Sequence, residues 1–282
     1  MSYDSVDSYD EINYWSEIKL DIVRDYAAAY STVLAAQRQP SLYHLYIDAF
    51  AGAGVHRSRT TGAFIPGSPL NALQVKPAFK EYHFIDIQSA KVQSLHEIAG
   101  ERADVTVHEG DCNGILLSEV FPKAKFADYR RALCLLDPYG LHLNWEVVHT
   151  AGQMKSIELF LNFPVADMNR NVLWRNPDNV AAKQVERMNA FWGDESWRKV
   201  AYDTKGNLFG LEMKVDNANA TIAGAYRKRL KATAGFSYVP EPIPMFNSKG
   251  AVVYYLFFAS QKPVAAVIVT SIFEKYRNWG DR

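Results

Sequence analysis

The chain has 282 residues, 48% hydrophobic and 22% charged, which is enough to bury a full core and sits near the upper size of one domain. Its 31 basic and 31 acidic side chains cancel, which excludes a global positive field that gathers nucleic acid and leaves room for a local patch at most. Cys112 and Cys134 are too few for a disulfide framework, and the longest apolar stretch, Ala251 to Ser260, is shorter than the roughly 20 residues of a membrane helix. With the polar, acidic start Met1 to Asp10, these features lead us to expect a cytoplasmic protein without a membrane segment.

Along the chain, Trp15, Ile18, Ile22, Tyr26, Tyr30 and Val33 recur at three- and four-residue intervals and predict an amphipathic helix over Ile12 to Gln37. Leu42 to Phe50 is an apolar strand running into the turn Ala51-Gly52-Ala53-Gly54. Val55 to Pro66 reads as a lengthened loop, of a size suited to a lid. Pro66-Gly67-Ser68-Pro69 then opens a helix, with Ser68 as the expected N-cap and Pro69 first in the helix. Strands over Tyr82 to Ile87 and Ala103 to His108 alternate with helices over Ala90 to Ile98 and Ile115 to Val120. Ala132 to Leu136 and Ile157 to Phe163 are apolar without alternation, as central strands buried on both faces require, with a helix over Asn144 to Ala151 between them. Helical segments follow near Val180 to Ala190 and Ala218 to Lys231. Pro242 to Phe246 and Ala251 to Phe258 flank Asn247-Ser248-Lys249-Gly250 as an antiparallel hairpin, and Ala265 to Tyr276 closes the chain as a helix.

The candidate chemistry lies at strand ends. Asp48-Ala49-Phe50-Ala51-Gly52-Ala53-Gly54 ends the first strand, where glycines let backbone approach a ligand. The third glycine of a dinucleotide fingerprint is replaced by Arg57, and no Gly-Lys-Ser/Thr run of a P-loop occurs. Asp86, followed by Ile87, is the candidate to accept the two hydroxyls of a ribose. Asp111 could accept from an adenine amino group while the Cys112 N–H meets the ring. Each feature alone also suits a tight turn or a helix cap; three in succession fit an adenosine with an amino-acid tail. The fourth strand delivers Asp137-Pro138-Tyr139-Gly140. There Asp137 and the Pro138 carbonyl could hold the two hydrogens of a conjugated amine while Tyr139 stacks on its ring, although the same composition satisfies a plain turn. Asn162 could line the same cleft. Arg57 is a further candidate for the substrate site, and Arg170, Arg175 and the basic run Tyr226 to Lys231 could meet phosphates or be solvated faces. The seven histidines do not group with cysteines at metal-ligand spacing, so no metal is expected.

These segments resemble the three-Cys-motif partner proteins, a bacterial and phage-associated family with a methyltransferase-like domain. The resemblance rests on Trp15 to Tyr30, Tyr46 to Gly54, Gly67 to Leu73, Phe84 to Asp86, Leu136 to Gly140, Leu161 to Pro164 and Tyr255 to Ser260. It implies S-adenosylmethionine as cofactor, held by Asp48, Phe50, Gly52, Gly54, Asp86, Ile87, Asp111 and Cys112, and a partner protein carrying a three-cysteine motif. Asp137-Pro138-Tyr139-Gly140 is similar to the Asp-Pro-Pro-Tyr motif of amino-methylating nucleic-acid enzymes and to the Asp-Pro-Phe-Gly of guanine-N2 tRNA methyltransferases, which makes a nucleobase a candidate acceptor. The expected architecture is a Rossmann-like class I methyltransferase fold: a mostly parallel seven-stranded sheet with an antiparallel C-terminal hairpin, in one domain. Its parts would be a helical extension (1–40), a cofactor-binding core (41–163), a helical insertion (164–232) and a closing hairpin and helix (233–282). The alternative is a non-catalytic partner protein with the same fold.

Overall fold

The computed structural model describes residues 10–203 and 213–277, so the acidic start lies outside the described residues except for Asp10. Strand β1 (Glu11–Ile12) pairs in parallel with Arg57 and Ser58, which delays helix α1 (Tyr14–Ala35) by two residues relative to expectation. The stripe Ile18, Ile22, Val23, Tyr26 and Tyr30 of α1 is buried, as its spacing requires. Strand β2 (Tyr43–Asp48) ends two residues early because the chain leaves the ladder into the glycine turn. The expected open loop is instead an antiparallel hairpin, β3 (Val55–Ser58) and β4 (Phe64–Pro66), which forms a three-stranded sheet with β1.

Helix α2 (Ser68–Gln74) is capped by Gly67, and Ser68 is its first helical residue rather than its cap. The reason is packing: Gly67 N donates to the Gly54 carbonyl at 2.7 Å, and a Cβ at Gly67 would stand 2.9 Å from that oxygen. Strand β5 (Glu81–Asp86), helix α3 (Ser89–Ala99) and strand β6 (Val105–Glu109) follow, then helix α4 (Cys112–Ile115), which widens into a π turn over Leu116–Val120. Strand β7 (Arg130–Leu136), helix α5 (Trp145–Met154) and strand β8 (Ile157–Phe163) complete the parallel part.

The insertion holds α6 (Val165–Asn171), α7 (Ala182–Trp192), α8 (Trp197–Ala201), the short pair β9 (Tyr202–Asp203) and β10 (Met213–Lys214), and α9 (Ala218–Ala232). Strands β11 (Ile243–Phe246) and β12 (Val252–Ala259) form the hairpin, and α10 (Pro263–Arg277) closes the fold.

The main sheet runs β11-β12-β8-β7-β2-β5-β6, with β12 antiparallel to both neighbours and the five strands from β8 to β6 parallel. Counted in chain order from the β6 edge, this is 3-2-1-4-5-7-6, the Rossmann-like methyltransferase arrangement. Alternate residues of one strand serve two cores: Leu45 and Ile47 face α5, α7 and α9, while Tyr46 faces α1, α2 and α10. Burial on both faces explains why these strands read as unbroken apolar runs. The chain leaves β2 toward β5 and β6, then returns to β7 on the other side. The crevice for a ligand therefore opens between the carboxyl ends of β2 and β7.

Candidate active site

Asp48 closes β2 at this switch point. Its side chain is buried, with the Ser68 hydroxyl and the Phe50 N–H as the donors beside its carboxyl group. Burial, opposed by the nearby Ser68 hydroxyl and reinforced by the Asp137 charge, pushes the Asp48 carboxyl up to about 7. The following turn needs glycine at two places, with φ of 65° at Gly52 and 79° at Gly54. A Cβ on Gly52 would come into ordinary van der Waals contact with His56 Cε1 at 3.7 Å, whereas one on Gly54 would strike Ile98 at 2.3 Å. Gly52 is thus the residue of close approach and Gly54 the residue of close packing. Phe50 is half-buried against the core on the α5 side.

Asp86 ends β5 beside this turn. Gly52 N donates to its Oδ2 at 3.0 Å and Gln88 N to its Oδ1 at 2.9 Å. The carboxylate is fixed by two backbone donors while its remaining lone pairs can accept more. Ile87 presents its side chain to solvent, 69% exposed. Asp111 caps α4: its Oδ1 accepts from Asn113 N at 3.3 Å and Asn113 Nδ2 at 2.9 Å. The capping role, one of the two readings open to this residue, is therefore filled. Cys112 N–H belongs to the first turn of α4, where N–H groups lack helical acceptors. Its thiol is buried and pushed up to about 12, and Cys134 is likewise a free, buried thiol.

At the end of β7, Asp137 is not the open acceptor that its motif suggests. Its Oδ2 is ion-paired with the Lys19 ammonium from α1, and its Oδ1 accepts from Asn162 Nδ2 at 2.8 Å. The Lys19 side chain is 9% exposed and lies 5.5 Å from the centre of the Tyr254 ring. Sequence reasoning missed Lys19, although a lysine one turn from Trp15 and Ile22, on the stripe it defines, was a readable signal. Pro138 leads into Tyr139, whose ring is 92% exposed, and Gly140 turns back with φ of 78°. Asp167 at the start of α6 holds this turn by accepting from Leu141 N at 3.3 Å, and a Cβ on Gly140 would stand 2.8 Å from its carboxylate.

The strand ends therefore bring Asp48, Asp86, Asp137 and Asn162 to one edge of the sheet, with Lys19 inserted among them. Arg57 sits on β3 and donates to the Gly62 carbonyl at 3.4 Å within its own hairpin, and Arg170 lies exposed in the last turn of α6. Arg175 lines a separate depression with Asn169 and Lys214. His56, which no motif singled out, is half-buried beside Gly52 and Gly67, and burial with the Lys19 charge lowers its pKa. Among the described residues, no cluster of three or more His, Cys, Asp or Glu could hold a metal ion, and no helix is long and apolar enough to cross a membrane.

No family model matches the chain, and no curated protein matches it. Among solved structures it is similar to protein LPL1258 from Legionella pneumophila, at 11% identity over 93% of this chain and 92% of that one, with a TM-score of 0.48. A putative methyltransferase from Thermobifida fusca aligns at 13% identity over 88% and 86% of the two chains, with a TM-score of 0.40. The trans-methyltransferase CalH in complex with SAH aligns at 15% identity over 84% of this chain and 57% of that one, with a TM-score of 0.36. Likenesses this distant assign neither ligand nor substrate to this chain.

Proposed function

We propose that this chain binds S-adenosylmethionine and methylates an amino nitrogen of a nucleobase or another planar acceptor. The observation that carries the reading is the pairing of a carboxylate with the positive-φ glycine turn at the switch point: Asp86 fixed by Gly52 N–H, next to the buried Asp48. A donor-rich ligand suits these residues. Asp86 would accept from ribose hydroxyls, the bare face of Gly52 would admit the amino-acid tail, Phe50 and exposed Ile87 would flank the adenine, and the Asp111–Cys112 end would meet its edge. The cofactor supplies an electrophilic methyl group when bound.

Asp137 would orient the acceptor. With Oδ2 on Lys19 and Oδ1 on Asn162, its carboxylate still has lone pairs for one N–H of an incoming amine, and the Pro138 carbonyl would take the other. The amine lone pair would then face the cofactor, and catalysis would come mainly from this positioning. Tyr139, almost wholly exposed, is free to stack on the acceptor ring. Arg57 and Arg170 are candidates for contacts with the acceptor, Arg170 with the phosphates of a nucleic acid. In the same reading the chain is one domain over 1–282, cytoplasmic, belongs with the three-Cys-motif partner proteins and acts beside a protein of that kind.

One feature favours the rival, a cofactor-binding partner without transferase activity: each carboxyl oxygen of Asp137 already carries a partner, Lys19 on Oδ2 and Asn162 on Oδ1. Calorimetric titration with S-adenosylmethionine and S-adenosylhomocysteine, with NAD as control, tests both. Micromolar binding that Asp86→Ala weakens and Asp137→Ala spares supports the cofactor assignment. Loss of methyl transfer in Asp137→Ala on a substrate found by screening then supports the enzyme, whereas absence of binding by the folded protein defeats both readings of the cofactor site.

A further inference from the structure

At the opposite edge of the sheet from Asp48 and Asp137 lies a cavity of about 320 Å³, within the range of small-molecule sites. It is enclosed by the second half of α1, the starts of β7 and β8, and the first turn of α10. Val33, Leu34, Leu42, Ile157 and Ile268 make most of its wall apolar. Three cationic side chains, Arg131, Lys155 and Lys262, line it against one acid, Glu158. That acid is already satisfied: Tyr26 donates to its Oε2 at 2.5 Å and Ser260 to its Oε1 at 2.8 Å. Behind the wall, the buried hydroxyls of the lining residues Tyr30 and Ser156 have no hydrogen-bond partner among the described residues. Orphaned buried hydroxyls are costly and rare in a finished core. The N-terminal end of the 15-residue α10 adds the positive end of its dipole to the same wall.

An excess of cations beside an apolar chamber calls for an anion with an apolar body. We propose that this cavity is a second ligand site, for a small aromatic or aliphatic carboxylic acid, independent of the cofactor site. The carboxylate would lie toward Arg131, Lys155 and Lys262, and the apolar body would lie against Ile157 and Ile268. At about 30 Å³ per water-sized group, the chamber has room for on the order of ten non-hydrogen atoms, the scale of a naphthoate or phenylalkanoate.

The test is calorimetric titration of the full chain with naphthalene-2-carboxylate and with its neutral carboxamide. The carboxylate is expected to bind once per chain, at least about tenfold more tightly than the carboxamide. The exposed double substitution Lys155→Glu, Lys262→Glu is expected to weaken the carboxylate by a similar factor, and Ile268→Trp, which fills the chamber, to abolish binding. Should Ile268→Trp fail to fold, the charge-reversed surface variant decides alone. No binding of the carboxylate, equal affinity for the carboxamide, or unchanged affinity after charge reversal would overturn the assignment. So would loss of binding in Asp86→Ala, which would place the acid at the other edge of the sheet.

Discussion

The buried contact between Lys19 and Asp137 can be tested without any ligand. Replacing Lys19 by Met keeps the length and apolar stem of the side chain but leaves Asp137 a charge with one remaining donor, Asn162. Removing one partner of a buried pair costs about 3–5 kcal/mol, because the other charge is left uncompensated. Asp137 is 24% exposed, so water recovers part of this, and a loss of about 2–3 kcal/mol is expected. Asp137→Asn alone should cost a similar amount, since it strands the ammonium of Lys19 under 9% exposure. The double variant should then recover much of the loss, with a coupling energy of about 1–3 kcal/mol. Urea unfolding followed by the fluorescence of the buried Trp192 and Trp197 gives all four stabilities. A coupling energy within error of zero would refute the claim that the two charges depend on one another, and with it the account of how Asp137 is held.

Two predictions concern pH. The Asp48 carboxyl titrates near 7 in the folded chain against an ordinary 3.8, so its neutral form stabilises the fold fully below about 4, and this contribution is lost as the pH rises through about 7. Asp48→Asn should therefore gain stability relative to the parent chain between about pH 4 and pH 8, by on the order of 4 kcal/mol at most; a difference that stays flat in denaturation curves at the two pH values would contradict the burial argument. His83 behaves in the opposite sense: burial and the Lys123 charge lower its pKa to about 4, and its ring bonds Glu81 at 2.9 Å and His108 at 3.1 Å. Its contribution is present above about 6.5 and lost as the pH falls through about 4, so His83→Gln should flatten the acid limb of the stability profile measured by the same unfolding assay.

The sheet was legible in the sequence because buried strands and their covering helices leave periodic marks that tertiary structure does not erase. Apolar runs at β2, β5, β6, β7 and β8, the helical spacing of α1 and the Asn247-Ser248-Lys249-Gly250 turn predicted seven strands with a closing hairpin, and the structure has them. The glycine turn and the acidic strand ends were likewise visible, since a backbone that must take positive φ and a carboxylate at a strand end are local facts. What local pattern could not decide is which polar groups meet across the fold. The hairpin of β3 and β4 looked like a loose lid because short strands paired to Glu11 and Ile12, over 40 residues away in sequence, leave no local period. Ser68 lost the cap to Gly67 because a carbonyl 13 residues earlier in the chain, at Gly54, leaves no room for a side chain there. The Lys19 clamp on Asp137 and the chamber behind Tyr30 belong to the same class. Each depends on side chains from distant segments arriving at one point, which burial of the two cores determines and sequence spacing does not.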